Sequence, residues 1–299
     1  MPDFRLKVFH AVATHLSFTK AAAQLYITQP AVTKNIHEIE SELDIRLFER
    51  KGNQIRLTPA GLILLSHTEK ILQIYQDIEF DFSVLKQKFS GQLNLGASTT
   101  IAQYVLPAVL AKFYQRFPQT KLSLLNDNTA NIEAALLNHK IELGIVEGRT
   151  KSRTLKYQPF LKDELVAVVH SNSKLAKSER MDLPALTKTP LVFRERGSGT
   201  LEVIEHELSK NKIKLSDLDV VMYLGSTESI KSFLENADCM GFVSIRAVER
   251  EVARGELKII EIENFKIHRT FEFVYLHGKS DGLADLFIDF ALQVYNQKL

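Results

Sequence analysis

Four short segments bring hydroxyl, basic and carboxylate side chains to points where an apolar, strand-like run passes into a helical one. They are Ser98-Thr99-Thr100, Arg194-Glu-Arg-Gly-Ser-Gly-Thr200, Leu224-Gly-Ser-Thr-Glu-Ser229 and Val146-Glu-Gly148. A helix start presents free N–H groups and a positive partial charge, so hydroxyls and arginines placed there suit a small anion. Ser98, Thr99 and Thr100 exceed what capping needs, because one hydroxyl caps a helix. In the second segment Gly197 and Gly199 would let the backbone approach a ligand, with Ser198, Thr200 and Arg194 or Arg196 around it. In the third, Thr227 is the expected contact and Ser226 the cap. In the fourth, Glu147 either orders the site or accepts a hydrogen bond from a ligand. Each segment taken alone also reads as an ordinary capped turn or, for Glu147, a solvated loop carboxylate. The recurrence of four such segments where strands pass into helices points to binding.

A second polar set lies near the N-terminus. Thr28-Gln-Pro-Ala-Val-Thr-Lys34 opens a helix with Ala31, Val32, Ile36, Ile39 and Leu43 on its buried stripe and Gln29, Thr33, Lys34 and His37 elsewhere. Pro30 sits in the first turn, where it removes no helical hydrogen bond. A helix of this kind offers its first turns to base edges in the major groove. Gln29 can pair with adenine, Lys34 can reach guanine or phosphate, and Thr28 and Thr33 can bond phosphate or touch a thymine methyl. Arg50, Lys51 and Arg56 then flank a Gly52-Asn53 hairpin signal, which reads as a basic wing for backbone contacts.

No reaction chemistry stands out. The nine histidines are scattered without metal-ligand spacing, and Gly197-Ser-Gly is too short for a nucleophile elbow. A single cysteine, Cys239, excludes an intramolecular disulfide and a cysteine metal cluster. It reads as a small buried residue, with a thiol switch as the other reading. No catalytic group, metal or cofactor is expected, which disfavours an enzyme.

The elements that must position these residues follow from periodicity. Leu6, Phe9, Ala13 and Leu16 recur at helical spacing, with Val12 widening the face. Ser17 caps a second helix containing Ala21 to Ala23, and Thr28 caps the third, Gln29 to Leu43. Two helices joined by a tight turn, followed by a basic hairpin, form a winged helix-turn-helix. Thr58-Pro59 starts a long helix whose apolar face, from Leu62 through Ile71, Ile74, Ile78 and Phe82 to Leu85, needs a partner along its length. Beyond Ser90-Gly91, short apolar strands alternate with helices, which predicts an open α/β sheet of mostly parallel order. The expected elements include a strand at 93–97, a helix at 101–117, strands at 164–169 and 191–194, a helix at 201–210 and a strand at 271–276.

At 299 residues two or three domains are expected. The formal charge of +2 neither requires nor excludes nucleic acid, so the case for DNA rests on where the bases lie. The N-terminus lacks a signal-peptide pattern and no apolar run would span a membrane, so the cytoplasm is the expected compartment.

The chain resembles the LysR-type transcriptional regulators. The resemblance is carried by Phe9-His-Ala-Val-Ala13, Ser17-Phe-Thr-Lys-Ala-Ala22, Thr28-Gln-Pro-Ala-Val-Thr-Lys34, Ile39-Glu-Ser-Glu-Leu43, Leu47-Phe-Glu-Arg50 and Leu57-Thr-Pro-Ala-Gly61. Asp44 departs from the glycine usual after the recognition helix, but Asp tolerates the left-handed cap conformation better than most residues. The resemblance implies a DNA-binding domain at 1–58, a linker and dimerisation helix at 59–90 pairing antiparallel with a second copy, and an effector-binding domain at 92–299. That last domain would have the two-lobed periplasmic-binding-protein-like fold. Lobe I would comprise 92–161 and 268–299 and lobe II 162–267, hinged near Phe160-Leu161 and Lys266-Ile267.

Gly96-Ala-Ser-Thr-Thr100 and Gly144-Ile-Val-Glu-Gly148 resemble segments of the carbon-fixation and sulfur-assimilation branch. There, positions like Ser98, Thr100 and Thr200 hold sulfate. The implied partners are double-stranded operator DNA, a small anionic effector, further copies of the chain in a homodimer or homotetramer, and RNA polymerase. The competing reading is a cytoplasmic solute-binding receptor without direct DNA regulation, against which the helix-turn-helix argues.

Overall fold

The computed structural model describes residues 3–51, 54–86, 91–277 and 282–296. The chain divides into two compact units, one running through Lys88 and the other spanning Phe89–Tyr295.

The first unit contains helices α1 (Phe4–His15), α2 (Phe18–Leu25) and α3 (Gln29–Leu43), strands β1 (Phe48–Lys51) and β2 (Gln54–Leu57), and the long helix α4 (Pro59–Lys86). Val8, Phe9, Val12, Ala21, Val32 and Ile36 converge in its core. Leu16, expected on the buried face of α1, is instead its exposed C-cap. The caps fall where expected: Ser17 accepts from the Lys20 amide at 3.3 Å and Thr28 from the Ala31 amide at 3.4 Å. Each of the first three helices ends on a left-handed residue that is not glycine: Leu16 (φ 47°), Tyr26 (φ 55°) and Asp44 (φ 51°). Asp44 therefore keeps the turn that a glycine would favour.

β1 and β2 pair antiparallel from Phe48↔Leu57 to Lys51↔Gln54. The expected Gly52-Asn53 turn lies outside the described residues. Glu40, buried on α3, fixes the first strand to the recognition helix: its carboxylate accepts from the Leu47 amide at 2.8 Å and the Phe48 amide at 3.3 Å. Thr58 caps α4 by accepting from the Gly61 amide at 3.0 Å. A Cβ at Gly61 would lie 2.2 Å from the Leu47 carbonyl oxygen, so only glycine lets α4 pack this close to the residue preceding β1. Ala60, Leu64 and Leu65 pack on the core, whereas Leu62, Ile63, Ile71, Ile74, Ile78 and Phe82 are exposed.

The second unit begins with β3 (Gly91–Ser98), α5 (Thr99–Tyr104), α6 (Leu106–Arg116), β4 (Thr120–Asp127), α7 (Thr129–Leu137) and β5 (Leu143–Val146). The single helix expected over 101–117 is broken at Val105, with Pro107 in the first turn of α6. The chain continues through β6 (Leu155–His170), β7 (Arg180–Met181), α8 (Leu183–Leu186), β8 (Leu191–Arg194), α9 (Gly199–Lys210), β9 (Val220–Leu224) and α10 (Thr227–Leu234). It closes with β10 (Met240–Ser244), α11 (Ile245–Ala253), β11 (Leu257–Ile262), β12 (Ile267–Leu276) and α12 (Gly282–Asn296). Neither α11 nor β11 was expected from the sequence.

The strand order is β4-β3-β5-β12-β6-β10-β8-β9, with β11 pairing β6 and β7. Outer pairs such as β3/β4 and β8/β9 are parallel, while the central β12/β6 pair is antiparallel. β6 runs for 16 residues, replacing the separate crossover and short strand expected near 160 and at 164–169. Its pairing with β12 extends from Ile267↔Leu165 to Leu276↔Leu155 and forms the seam between two lobes. Lobe I gathers Ile132, Leu136, Val146 and Val274 on one face of the sheet. It also holds Phe113 against Phe117, Phe287 and Phe290, with ring centroids 4.6, 5.2 and 5.2 Å apart. Lobe II gathers Phe193, Ile204, Leu208, Phe242 and Ile260. Among the described residues, no helix is long and apolar enough to cross a membrane.

Candidate functional site

The molecule carries two polar surfaces of note, one in each unit. On the first, Thr28, Gln29, Pro30, Thr33, Lys34 and Arg56 are all exposed. The side chains of α3 satisfy one another: Gln29 Nε2 donates to Thr33 Oγ1 at 3.1 Å, Thr33 Oγ1 to the Gln29 carbonyl at 3.2 Å, and Lys34 pairs with Glu38 at 3.9 Å. Such contacts are weak in water and yield readily to a partner. Arg50 and Lys51 lie on β1, but their side chains fall outside the described residues. Tyr26, in the turn between α2 and α3, is 96% exposed and was not anticipated. The signal available in the sequence was an aromatic residue beside a cap position in a tight turn.

The second surface is the seam between the lobes. All eight residues expected to hold a ligand there are buried: Ser98, Thr99, Thr100, Glu147, Arg194, Ser198, Thr200 and Thr227. Four of them, Ser98, Glu147, Ser198 and Thr200, join one hydrogen-bonded cluster, and Arg194 and Thr99 form a separate pair. Ser98 stands at the N-cap of α5 yet makes no capping bond; its hydroxyl donates to the Glu147 carboxylate instead. Thr200 Oγ1 donates to the other oxygen of Glu147 at 3.2 Å. Ser198 caps α9 by accepting from the Thr200 amide at 3.2 Å. Arg194 Nη2 reaches across from lobe II to Thr99 Oγ1 at 3.2 Å, while Glu195 clasps Nε at 2.8 Å and Nη2 at 3.0 Å. Thr100 and Thr227 are buried at the starts of α5 and α10 and make no side-chain bond to the cluster among the described residues. Ser226 caps α10, as expected.

The glycines of the 194–200 segment act differently from expectation. A Cβ at Gly199 would lie 1.8 Å from the Glu147 carbonyl oxygen, so this glycine lets lobe II touch lobe I backbone directly rather than a ligand. Gly197 turns the chain at φ +87° and its carbonyl accepts from the Ala130 amide at 3.2 Å.

Two charged residues central to the cluster escaped the sequence reading. Arg269 on β12 donates from Nε to Asp163 at 2.7 Å and from Nη1 to Thr200 at 2.7 Å and Glu147 at 3.3 Å. Asp163 on β6 also accepts from Ser244 at 2.7 Å. A signal was present: Ile267, Arg269, Phe271 and Phe273 are buried at alternate positions, so a cation sat on the inward face of a strand. Buried charges survive only when paired and hydrogen-bonded, and here Arg269 lies between two carboxylates.

A further bridge joins α5 to α10. Tyr104 donates to Glu228, and burial together with that bond pushes its hydroxyl well above the ordinary tyrosine range. Lys231 lies over the Tyr104 ring, 5.5 Å from its centroid. Burial alone would lower the Lys231 ammonium, but hydrogen bonds with Glu251 and Glu228 outweigh it and the net shift is upward. Cys239 is buried among Val168, Val192, Ile230 and Leu234; burial, aided by Asp238, raises its thiol and disfavours a reactive thiolate. No cluster of metal-ligating side chains occurs among the described residues.

Residues 4–62 match the family described as bacterial regulatory helix-turn-helix protein, lysR family, and residues 86–296 match the LysR substrate binding domain. The chain belongs to the LysR family. A relative from Phaeodactylum tricornutum, named "Probable RuBisCO transcriptional regulator", is 32% identical over 90% of this chain and 89% of its own length. The HTH-type transcriptional regulator CysL of Bacillus subtilis is 28% identical over 90% of this chain and 89% of its own. The regulatory domain of Synechocystis CcmR, solved in complex with 2-PG, is 30% identical, covers 69% of this chain and 97% of the solved chain, and superposes with a TM-score of 0.62. This LysR-type chain is therefore a DNA-binding transcription regulator with an effector-binding domain, and not an enzyme. The competing reading of a solute receptor without DNA regulation is not favoured.

Proposed function

We propose that this LysR-type regulator responds to a small anion, a phosphate, sulfate or carboxylate metabolite, bound at the buried seam between its lobes. The observation that carries this reading is Arg194. Its side chain is 2% exposed, it spans from one lobe to Thr99 of the other, and its Nη1 has no partner among the described residues. A buried guanidinium N–H left unbonded is costly, and an anionic oxygen is its natural complement. Ser98, Thr100, Ser198, Thr200 and Thr227 supply hydroxyls of either hydrogen-bonding sense beside it. The 2-PG complex of CcmR supports an anion of this size. Glu147 occupies the hydroxyls of both lobes, so an entering anion competes with it for Ser98 and Thr200.

On DNA, Thr28, Gln29, Pro30, Thr33 and Lys34 read the major groove, while Arg50, Lys51 and Arg56 hold the backbone. The exposed stripe of Ile71, Ile74, Ile78 and Phe82 on α4 pairs with a second copy, which presents two recognition helices to a two-fold operator. The protein works in the cytoplasm. Effector binding shifts the angle between lobes, and with it the spacing of the DNA-binding pairs.

Isothermal titration of the full-length protein with 2-PG, sulfate and a neutral sugar alcohol tests the effector reading. Saturable binding of an anion, weakened in Arg194→Gln, supports it. Binding of the neutral compound alone contradicts it.

A further inference from the structure

A cavity of about 640 Å³ opens on a different part of the lobe seam, and none of Ser98, Thr99, Thr100, Thr200 or Thr227 lines it. Its walls carry Arg149, Lys151, Lys162, His268 and Arg269, contributed by the segment after β5 and by the two crossover strands. The acids in the wall are Asp163 and Glu272, and both are engaged: Glu272 pairs with Lys151 at 2.7 Å and Asp163 with Arg269 at 2.7 Å. Arg149 and Lys162 are exposed and have no ion-pair partner among the described residues. Arg269, whose side chain is 1% exposed, leaves Nη2 unbonded among the described residues while Nη1 and Nε are taken.

We infer that this cavity is a second anion site, taking a phosphate group, free or as a monoester. The volume falls in the range of roughly 300–1,000 Å³ typical of small-molecule pockets. Two uncommitted cations and a buried guanidinium fork form a set that matches the several oxygens of one phosphate. The site goes beyond the effector reading above, because its lining is separate except for Asp163 and Arg269. Of the two, Arg269 supplies a physical link. Arg269 lines the cavity and also bonds Thr200 and Glu147 of the buried cluster. An anion drawing on Arg269 from the cavity weakens its hold on Glu147 and so alters the contact between the lobes. The positions involved, Lys162↔Thr270 and Asp163↔Arg269, are paired on the crossover strands, where a change in lobe angle must be absorbed.

The test uses the full-length protein titrated calorimetrically with inorganic phosphate and, separately, with glycerol phosphate. The double variant Arg149→Gln/Lys162→Gln changes only exposed side chains, and an unaltered unfolding temperature verifies its fold. Saturable phosphate binding that weakens about tenfold or more in the double variant, and persists in Arg194→Gln, is the expected result. The tighter of the two probes then identifies free phosphate or ester as the better ligand. A single Lys162→Gln variant is expected to lose affinity in the same direction by less. The inference is overturned if the protein binds neither probe at millimolar concentration, if binding is unchanged in the double variant, or if it is lost only in Arg194→Gln. That last result would leave the effector reading intact, whereas failure of 2-PG and sulfate to bind would not touch this one.

Discussion

The recognition helix and the lobe seam use similar residues in opposite ways. On α3, Thr28, Gln29, Thr33 and Lys34 are exposed and bond mainly within their own helix, over three or four residues. In the seam, Ser98, Thr200, Arg194 and Arg269 are buried and bond to partners 49 to 122 residues away. An exposed polar group exchanges water for DNA at little cost to the fold. A buried one holds the fold together, so any ligand must displace an internal partner first. Substitutions in the first region should therefore change binding without stability, and in the second both together.

The largest expected effect is on stability. Arg269→Ala takes from buried Glu147 its cation and leaves buried Asp163 only Arg246, 3.6 Å away, and should destabilise the effector domain by about 3–5 kcal/mol, read from urea unfolding. A loss under about 1 kcal/mol would show that water already screens the pair and would erase the contrast between regions. Next, Arg194→Gln should weaken anion binding by about 1.5–3 kcal/mol, roughly 10- to 150-fold, while leaving operator affinity in the absence of effector unchanged.

Gln29→Ala should cost about 1–3 kcal/mol of affinity for the specific operator, with non-specific binding and unfolding midpoint unchanged, as measured by fluorescence anisotropy and thermal melts. If the melt shifts as much as the affinity, α3 is not the independent surface described above. The smallest effect belongs to the turn after α3. Asp44→Gly removes a side chain from a left-handed position and should stabilise the first unit by about 0.5–1 kcal/mol, visible as a raised melting temperature.

Legibility in the sequence divided along the same line. Local order was readable: α3 spans Gln29–Leu43 as expected, its cap is Thr28, and Asp44 is left-handed. These features depend on neighbours in the chain. Ser226 was readable as the cap of α10 for the same reason, whereas Ser198, expected to face a ligand, caps α9. What escaped was long-range pairing. Nothing near Glu147 in the chain indicates that its carboxylate meets Ser98 and Arg269, and nothing near Gly199 foretells its contact with Glu147 backbone. The length of β6 was missed because Lys162, Asp163 and Glu164 interrupt its apolar pattern, and only pairing with β12 explains their place in a strand. Glu40 was missed likewise, since a glutamate on a helix suggests solvent until the Leu47 and Phe48 amides are found above it.

The central claim is that an anion at the seam governs a DNA-binding helix in the other unit. Its most direct test is operator affinity of the full-length protein, measured by anisotropy with and without saturating 2-PG, in wild type and in Arg194→Gln. A several-fold, anion-dependent change in affinity or in the length of DNA protected, lost in Arg194→Gln, is the predicted result. Identical operator binding with and without each anion that titration shows to bind would contradict the account.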